Sequence, residues 1–366
     1  MDKQDIIKMF AVDGTVAAVR EYGSGHINRT DLVEIMQDGK QEKYIFQQIN
    51  TGIFHNVDQL MENIVGVTTH LSNKIKARGG DPNRETLQVI PAKDGSSYCR
   101  VEGKCYRMYR FITNAVSLDT VERPEDFYES ALAFGTFQSM LADYPADTLH
   151  ETIPDFHNTP KRLAAFCDAV KADVCGRASS VADEIDFILA RDKEMYVLAE
   201  LLKDGKLPLR VTHNDTKLNN VMLDAETGKG ICVIDLDTVM PGLSLYDFGD
   251  SIRFGANTAA EDETDLSKVS LDPGLYEQYV RGYLQGCQGS LTPKELEMLP
   301  MGAKIMTMEC GMRFLTDYLS GDTYFRIHRP HHNLDRCRTQ LALAADMERK
   351  WKKMGEICQT VSQELS

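Results

Sequence analysis

The sequence predicts an α+β protein of two lobes: a small β-rich N-terminal lobe with one main helix, and a large, mostly helical C-terminal lobe carrying a β-hairpin. Three observations predict it. From Val16 to Arg110 the pattern is mostly that of short strands separated by Gly, Asn and Asp turns. One segment inside that region, Val57 to Arg78, instead carries apolar residues at Leu60, Ile64, Val67, Leu71 and Ile75, which is helical spacing. Beyond Thr113 helical spacing dominates, interrupted by a strong hairpin signal between Val221 and Ile234.

Taken in order, Asp5–Phe10 reads as a short helix. Val16–Tyr22 and Thr30–Met36 read as two strands joined by Gly23-Ser24-Gly25-His26-Ile27-Asn28, and Tyr44–Ile49 as a third. Gly79-Gly80-Asp81-Pro82 ends the long helix. Thr86–Ile90, Ser97–Val101 and Lys104–Ile112 follow as strands, and Lys93-Asp94-Gly95 and Glu102-Gly103-Lys104 have hairpin-turn chemistry. Helices are expected over Asp126–Ala142, Lys161–Ala172, Val181–Lys203, Pro273–Gln285, Pro293–Leu319 and Leu334–Ser362. No repeat or low-complexity linker intervenes. The division is therefore placed at a tight crossover near Arg110–Asn114, giving lobes of residues 1–112 and 113–366 with a cleft between them.

Composition narrows the classes of function. The 366 residues are 42% hydrophobic and 26% charged, enough for a large core, and their net charge is −14. Such acidity argues against nucleic acid as a partner, since phosphate contacts require clustered Lys and Arg. It leaves room for a nucleotide whose charge is offset by a bound cation. Nine scattered cysteines without a CxxC pair read as reduced thiols. No signal-peptide core or membrane-spanning run is present, so a cytoplasmic monomer without membrane attachment is expected.

The chemistry is concentrated in Val211–Asp237. His213-x-Asp215-x-x-x-x-Asn220 has the spacing of a phosphoryl-transfer loop, and a β-type run, Ile231–Ile234, then delivers Asp235. Asp215 can accept a proton from an attacking hydroxyl. The amide oxygen of Asn220 and the carboxylate of Asp235 are hard donors suited to Mg²⁺. Lys217 can place positive charge beside the group in transit. Val221-Met222-Leu223 and Ile231-Cys232-Val233-Ile234 flank the Thr227–Gly230 turn as a buried hairpin. His213 is expected to brace the loop and Asp247 to bond its backbone. Asp237 is either a second metal ligand or a carboxylate closing the hairpin end.

Gly23-Ser24-Gly25 between two strands can let backbone N–H groups approach phosphates, because glycine removes the Cβ obstacle. It is not a Walker A loop, since no Gly-Lys-Ser/Thr follows. With Gln47, and with Arg110 and Ile112 at the crossover, it makes up the expected ATP-binding set. A kinase places a lysine on the third strand to hold the α and β phosphates; here that strand, Tyr44-Ile45-Phe46-Gln47-Gln48-Ile49, offers glutamine. Lys43 is the nearest cation, and Glu62 is either its partner or a solvated charge.

These motifs in this order resemble the aminoglycoside phosphotransferase and choline kinase superfamily, relatives of protein kinases, and within it the N-acetylhexosamine 1-kinases in particular. The likeness runs through Gly23–Asn28, Leu60–Ile64, the loop and hairpin, Leu245-Tyr246-Asp247-Phe248-Gly249-Asp250, Arg313–Tyr318, Gly321-Asp322-x-Tyr324-Phe325 and Asn333–Arg336. It implies a protein-kinase-like fold, ATP and Mg²⁺, and transfer of the γ-phosphoryl group to the anomeric hydroxyl of GlcNAc or GalNAc. It also implies acceptor contacts at His26, Asp215, Phe254, Arg313 and Tyr324. The residues agree that the acceptor is small: only about ten residues separate Asp235 from Tyr246-Asp247, too few for the peptide platform of a protein kinase. Two alternatives stand beside this reading. One is a kinase of another small alcohol, such as choline, homoserine, methylthioribose or an aminoglycoside, for which Asp317, Tyr318 and Asp322 are candidates. The other is a nucleotide-binding module without turnover.

Overall fold

The computed structural model describes residues 1–23 and 27–365. Its first part is α1 (Lys3–Ile7), β1 (Thr15–Glu21), β2 (Arg29–Gln37), β3 (Lys40–Ile49), α2 (Val57–Ala77), α3 (Pro82–Glu85), β4 (Val89–Ile90), β5 (Cys99–Val101), β6 (Lys104–Arg110) and β7 (Ala115–Val116). There follow α4 (Pro124–Met140), α5 (Thr159–Ala172), α6 (Ala182–Leu189), α7 (Val197–Lys203), β8 (Arg210–Thr212), β9 (Val221–Asp224), β10 (Gly230–Val233) and β11 (Met240–Gly242). The chain ends with α8 (Ser244–Gly255), α9 (Pro273–Cys287), α10 (Pro293–Leu319), α11 (His332–Arg349) and α12 (Trp351–Glu364). Contacts cluster into two units, one of residues 1–116, 143–154 and 222–240, the other of 117–142, 155–221 and 241–366. No described helix is long and apolar enough to cross a membrane.

In the first unit an antiparallel sheet runs β1-β2-β3-β6-β4, with β5 also paired to β6. Side chains alternate between its faces. On one face Val33, Ile35, Tyr44, Phe46, Tyr106 and Met108 join Ile6, Ile7 and Phe10 in a buried core. The short N-terminal helix is thus held by the apolar spacing that predicted it. The register aligns Thr30, Gln47 and Arg107 in one row across β2, β3 and β6, on the other face.

Helix α2 buries Leu60, Ile64, Val67, Leu71 and Ile75, as its spacing required, and Asn56 caps its start by accepting the Gln59 N–H. One polar residue interrupts the stripe. Asn63 donates from Nδ2 to the carbonyls of His150 (2.9 Å) and Val239 (3.0 Å), and its Oδ1 accepts the His150 N–H. A single buried amide therefore ties α2 to the segment that follows Asp237. The hairpin β9–β10 buries Val221, Leu223, Cys232 and Val233. Asp224 nucleates its turn by accepting the N–H groups of Glu226 and Thr227.

The second unit is helical. Helix α4 lies against α9 so closely that a Cβ on Gly135 would stand 2.3 Å from the Tyr283 carbonyl oxygen. Only glycine permits that backbone approach. The same holds where α8 meets α10, since a Cβ on Gly249 would stand 2.3 Å from the Gly302 oxygen.

Several elements differ from the sequence reading, among them the first helix, which runs Lys3–Ile7, and the short strands β7, β8 and β11, which the sequence did not suggest. The helix expected over Val181–Lys203 is broken into α6 and α7. Arg191 turns back to donate to the Phe187 carbonyl (2.8 Å) and pairs with Glu348 of α11 (2.7 Å), while Lys304 of α10 pairs with Glu194. The helix expected over Leu334–Ser362 is broken at Lys350, whose ammonium reaches the Leu271 carbonyl at 2.7 Å. The strand expected over Thr86–Ile90 is reduced to β4, preceded by the single turn α3, where Pro82 sits at the first helical position and Asp81 caps. Helix α8 was not foreseen, because its two glycines and two aspartates obscure the apolar period.

Candidate active site

Within the second unit, β8 leads into the loop at His213. Of residues 211–220 only Asp215, Lys217 and Asn219 keep appreciable solvent exposure; their neighbours are buried. The two ionisable groups and the amide thus emerge from an otherwise packed segment. Lys217 Nζ lies 3.1 Å from Asp215 Oδ1. Asn220 Nδ2 donates to the Asp215 carbonyl (2.7 Å) and to Asp215 Oδ2 (3.2 Å), which leaves its own Oδ1 available to a cation. Burial works against the charge of Lys217, but Asp215 and, further off, Asp250 outweigh it and hold the ammonium above its usual range. The structure therefore brings Asp215, Lys217 and Asn220 together.

What holds the loop is a set of residues that spacing alone does not reveal. Asp247 of α8 accepts the backbone N–H of His213 (2.9 Å) and of Asn214 (2.8 Å), and Gln138 of α4 donates to the same carboxylate (3.0 Å). The expectation that Asp247 bonds loop backbone is met. Burial pushes its carboxyl above the ordinary value, against the pull of His213 and these donors. Three residues on, Asp250 accepts the Thr216 N–H (2.9 Å) and is held ionised by Arg253 in spite of its burial. Asn214 between them is left-handed, with φ 65°, a conformation Asn tolerates better than most residues. The His213 ring accepts the Asp215 N–H (3.3 Å) and packs edge-on against Phe134 and Phe137, as a brace would. His157 bridges the Asn214 carbonyl (3.2 Å) and the buried Glu309 (2.8 Å).

In the first unit, Asp235 follows β10 and opens a 3₁₀ turn, Leu236–Thr238, in left-handed conformation (φ 57°, ψ 58°). Asp237 in that turn is buried and gripped at both oxygens by Arg107, at 2.5 and 2.9 Å. Asn28 Nδ2 adds a third donor at 2.6 Å. Gln47 lies between Arg107 and Thr30, its Oε1 accepting from Arg107 Nε (2.9 Å) and its Nε2 donating to Thr30 Oγ1 (3.0 Å). Asp237 thus accepts three donors at the hairpin end. The amide oxygen of Asn220 and the carboxylate of Asp235 are each hard oxygen donors, of the kind Mg²⁺ takes beside waters and substrate phosphates. Among the described residues no group of three or more His, Cys, Asp or Glu is assembled for a metal.

The other expected nucleotide contacts fall as follows. Gly23 is left-handed (φ +80°) with open space where a Cβ would be; Ser24, Gly25 and His26 lie outside the described residues. Arg110 pairs with Glu42 at 3.2 Å, and Ile112 is buried. Lys43 rests on the Phe111 ring and approaches Glu34 at 4.0 Å, whereas Glu62 pairs with His150. The two are not partners.

Among the expected acceptor contacts, Arg313 and Tyr324 share one neighbourhood. The Arg313 guanidinium lies over the rings of Phe156 (5.2 Å) and Phe325 (5.6 Å), and Tyr324, 66% exposed, meets Phe325 edge-on at 4.8 Å. Arg162 joins them by donating to the Phe156 carbonyl (3.0 Å), and burial followed by repulsion from Arg313 lowers its basicity. Neither arginine forms an ion pair among the described residues. Asp317 builds the loop that presents Tyr324, accepting the N–H groups of Thr323, Tyr324 and Phe325 and the Asn333 amide. Asp322 is paired with Arg177 (2.7 Å) and Asn333. Phe254 is half-buried on α8 without a ring contact to this group.

A loop presenting carboxylate, ammonium and amide side by side, followed by a hairpin that ends in a second aspartate, defines a phosphotransferase with the protein-kinase-like α+β fold. Residues 18–295 match the phosphotransferase enzyme family, and the chain belongs to it. Its fold is similar to that of the aminoglycoside phosphotransferase from Alicyclobacillus acidocaldarius (TM-score 0.60, 11% identity, 99% of this chain and 97% of that one). It is similar also to the microcompartment-associated aminopropanol kinase (TM-score 0.57, 16% identity, 96% and 97%). A third likeness is to a spectinomycin phosphotransferase in complex with ADP and spectinomycin (TM-score 0.53, 11% identity, 99% and 99%).

Proposed function

We propose that the protein transfers the γ-phosphoryl group of ATP to the anomeric hydroxyl of an N-acetylhexosamine, GlcNAc or GalNAc. Asp215 orients the acceptor hydroxyl and takes its proton as the new P–O bond forms and the bond to the β-phosphate oxygen breaks. Lys217, held 3.1 Å from Asp215, keeps positive charge beside that oxygen. Asn220 and Asp235 are the residues that would hold Mg²⁺, which supplies charge neutralisation to the phosphates when bound. Gly23-Ser24-Gly25 would take the phosphates through backbone N–H groups, with Arg110 and Ile112 beside the rest of the nucleotide. His26, Phe254, Arg313 and Tyr324 would complete the sugar's contacts.

The observation that carries the choice of acceptor is the charge at Arg313. Choline, aminopropanol-like and aminoglycoside acceptors are cationic and call for carboxylates or open aromatic faces. Here the two carboxylates nearest Tyr324 in sequence, Asp317 and Asp322, are taken up by loop N–H groups, Arg177 and Asn333. The groups presented instead are two arginines that make no ion pair among the described residues, with the buried carboxylate of Glu309 nearby, flanked by Phe156, Phe325 and Tyr324. Guanidinium and phenol suit the hydroxyl and amide oxygens of a neutral acetamido sugar, and aromatic faces suit its apolar ring surface.

The test is an ADP-release assay over N-acetylhexosamines, plain hexoses, amino alcohols and aminoglycosides, with and without Mg²⁺. Turnover with N-acetylhexosamines that yields an alkali-stable, acid-labile sugar phosphate is expected. Preference for an amino alcohol would replace the sugar reading. Nucleotide binding without turnover on any acceptor would leave a binding module.

A further inference from the structure

The third strand of the sheet lacks the phosphate-binding lysine, yet the structure places a cation one strand away. Register sets Gln47 of β3 directly opposite Arg107 of β6. Paired residues leave a sheet on the same face, with neighbouring strands about 4.8 Å apart, so Arg107 starts at the height a β3 lysine would occupy. Its guanidinium is fully buried, which a structural surface arginine would not be. Gln47 steadies it through Nε, and Thr30 in turn steadies Gln47.

The guanidinium is also tied to the metal-side turn. Asp237 receives both of its terminal nitrogens, and Asn28, itself fixed by accepting the Asn50 N–H, holds the same carboxylate. Asp235 precedes that anchor by two residues and sits in a left-handed conformation, which a non-glycine residue keeps only where its surroundings impose it. Every nitrogen of the guanidinium is engaged in these contacts, one with Gln47 and two with Asp237. Burial opposes the charge of Arg107, but Asp237 foremost, with Asp235 adding to it, holds it protonated.

We propose that Arg107 is the cation that stands in for the missing β3 lysine, relocated from β3 to β6, and that it acts through Asp237 by setting the turn that carries Asp235. The inference rests on the kinase reading. Gln47 is then the holder of that cation rather than a phosphate ligand in its own right. Arg107 is a positioning residue whose charge and hydrogen bonds are used together.

The test moves the cation back. Affinity for Mg·ADP is measured by titration calorimetry, alongside KM for ATP, in the wild type, Arg107→Gln, and the double variant Gln47→Lys/Arg107→Gln. Arg107→Gln is expected to weaken Mg·ADP binding at least about tenfold, as loss of a charge-assisted hydrogen bond does, and the double variant to regain most of it. Should Arg107→Gln fail to fold because Asp237 is left buried and unpaired, Arg107→Gln/Asp237→Asn is compared with Asp237→Asn. The pair is expected to bind at least about tenfold more weakly than that parent. A folded Arg107→Gln that binds Mg·ADP like wild type overturns the proposal. So does a double variant that folds but recovers nothing, or an Arg107→Gln/Asp237→Asn pair that binds as well as its parent. Wild-type protein that binds no Mg·ADP overturns the kinase reading along with it, a distinguishable result.

Discussion

Replacing Asp215 with asparagine keeps the shape of the side chain and removes the oxygen that takes the proton. In the folded chain this carboxylate has two close neighbours, Lys217 at 3.1 Å and Asn220 at 3.2 Å. The pair with Lys217 is partly open to water, its side chains 24% and 37% exposed, and such pairs contribute about 0–1 kcal/mol to folding. The loop backbone hangs instead on Asp247 and Asp250, which the substitution does not touch. Stability should therefore change by no more than about 1 kcal/mol, roughly 2 °C in Tm for a chain of this size. The catalytic loss is of another order. A positioned base contributes about 10²–10⁴-fold, which at about 1.4 kcal/mol per tenfold is about 3–5 kcal/mol of barrier. ADP release with saturating N-acetylhexosamine, read beside calorimetric Tm and Mg·ADP affinity, separates the two effects. A variant with intact Tm, intact nucleotide binding and a kcat within about threefold of wild type would refute Asp215 as the base.

Other expectations follow from packing and charge. Gly135→Ala puts a methyl group 2.3 Å from the Tyr283 oxygen and should cost about 1–3 kcal/mol in chemical denaturation. Gly355→Ala on α12, where no atom lies within 4 Å of the added carbon, should instead stabilise by about 0.5–1 kcal/mol; equal effects at the two sites would refute the packing argument. Arg313→Ala should raise the acceptor KM about tenfold, the scale of a partly desolvated cation contact, and leave the ATP KM unchanged; a change in the ATP term alone would remove Arg313 from the acceptor site. Arg191 foremost, with Lys304 and against a modest effect of burial, holds the Glu348 carboxyl at about 2. Its folded value lies below the unfolded one of about 4.3, so its contribution to stability is complete above that value and is lost as pH falls toward the folded one. Wild type should be more stable than Glu348→Gln near neutrality, and the gap should narrow between about pH 5 and pH 3; a constant gap would refute the linkage.

Much of the candidate site was legible because its signals are short-range. His213, Asp215, Lys217 and Asn220 stand within eight positions, and the hairpin that follows declares itself by two apolar runs and a turn. Helix α2 was equally plain. Its boundaries, Val57–Ala77, follow from apolar spacing, a cap at Asn56 and the glycines after Ala77. The breaks at Arg191 and Lys350 were not legible, since no glycine or proline marks either one. Each long side chain leaves its helix to serve a distant partner, Glu348 for Arg191 and the Leu271 carbonyl for Lys350. Helix α8 was hidden for a related reason: Asp247 and Asp250 answer to loop N–H groups, and Gly249 to α10.

By itself, then, the sequence determined the strands and helices whose period is local, the family, and the groups able to carry a proton or a metal. Tertiary structure alone decided which buried charge answers which. Arg107 finds Asp237 across 130 positions, His157 finds Glu309 across 152, and Asp247 finds the loop backbone across 34. A charge removed from water must be matched by some opposite or hydrogen-bonding group, but that requirement names no partner. The partner is chosen by which strands and helices become neighbours, and here that choice put an arginine on β6 where the third strand offered only glutamine.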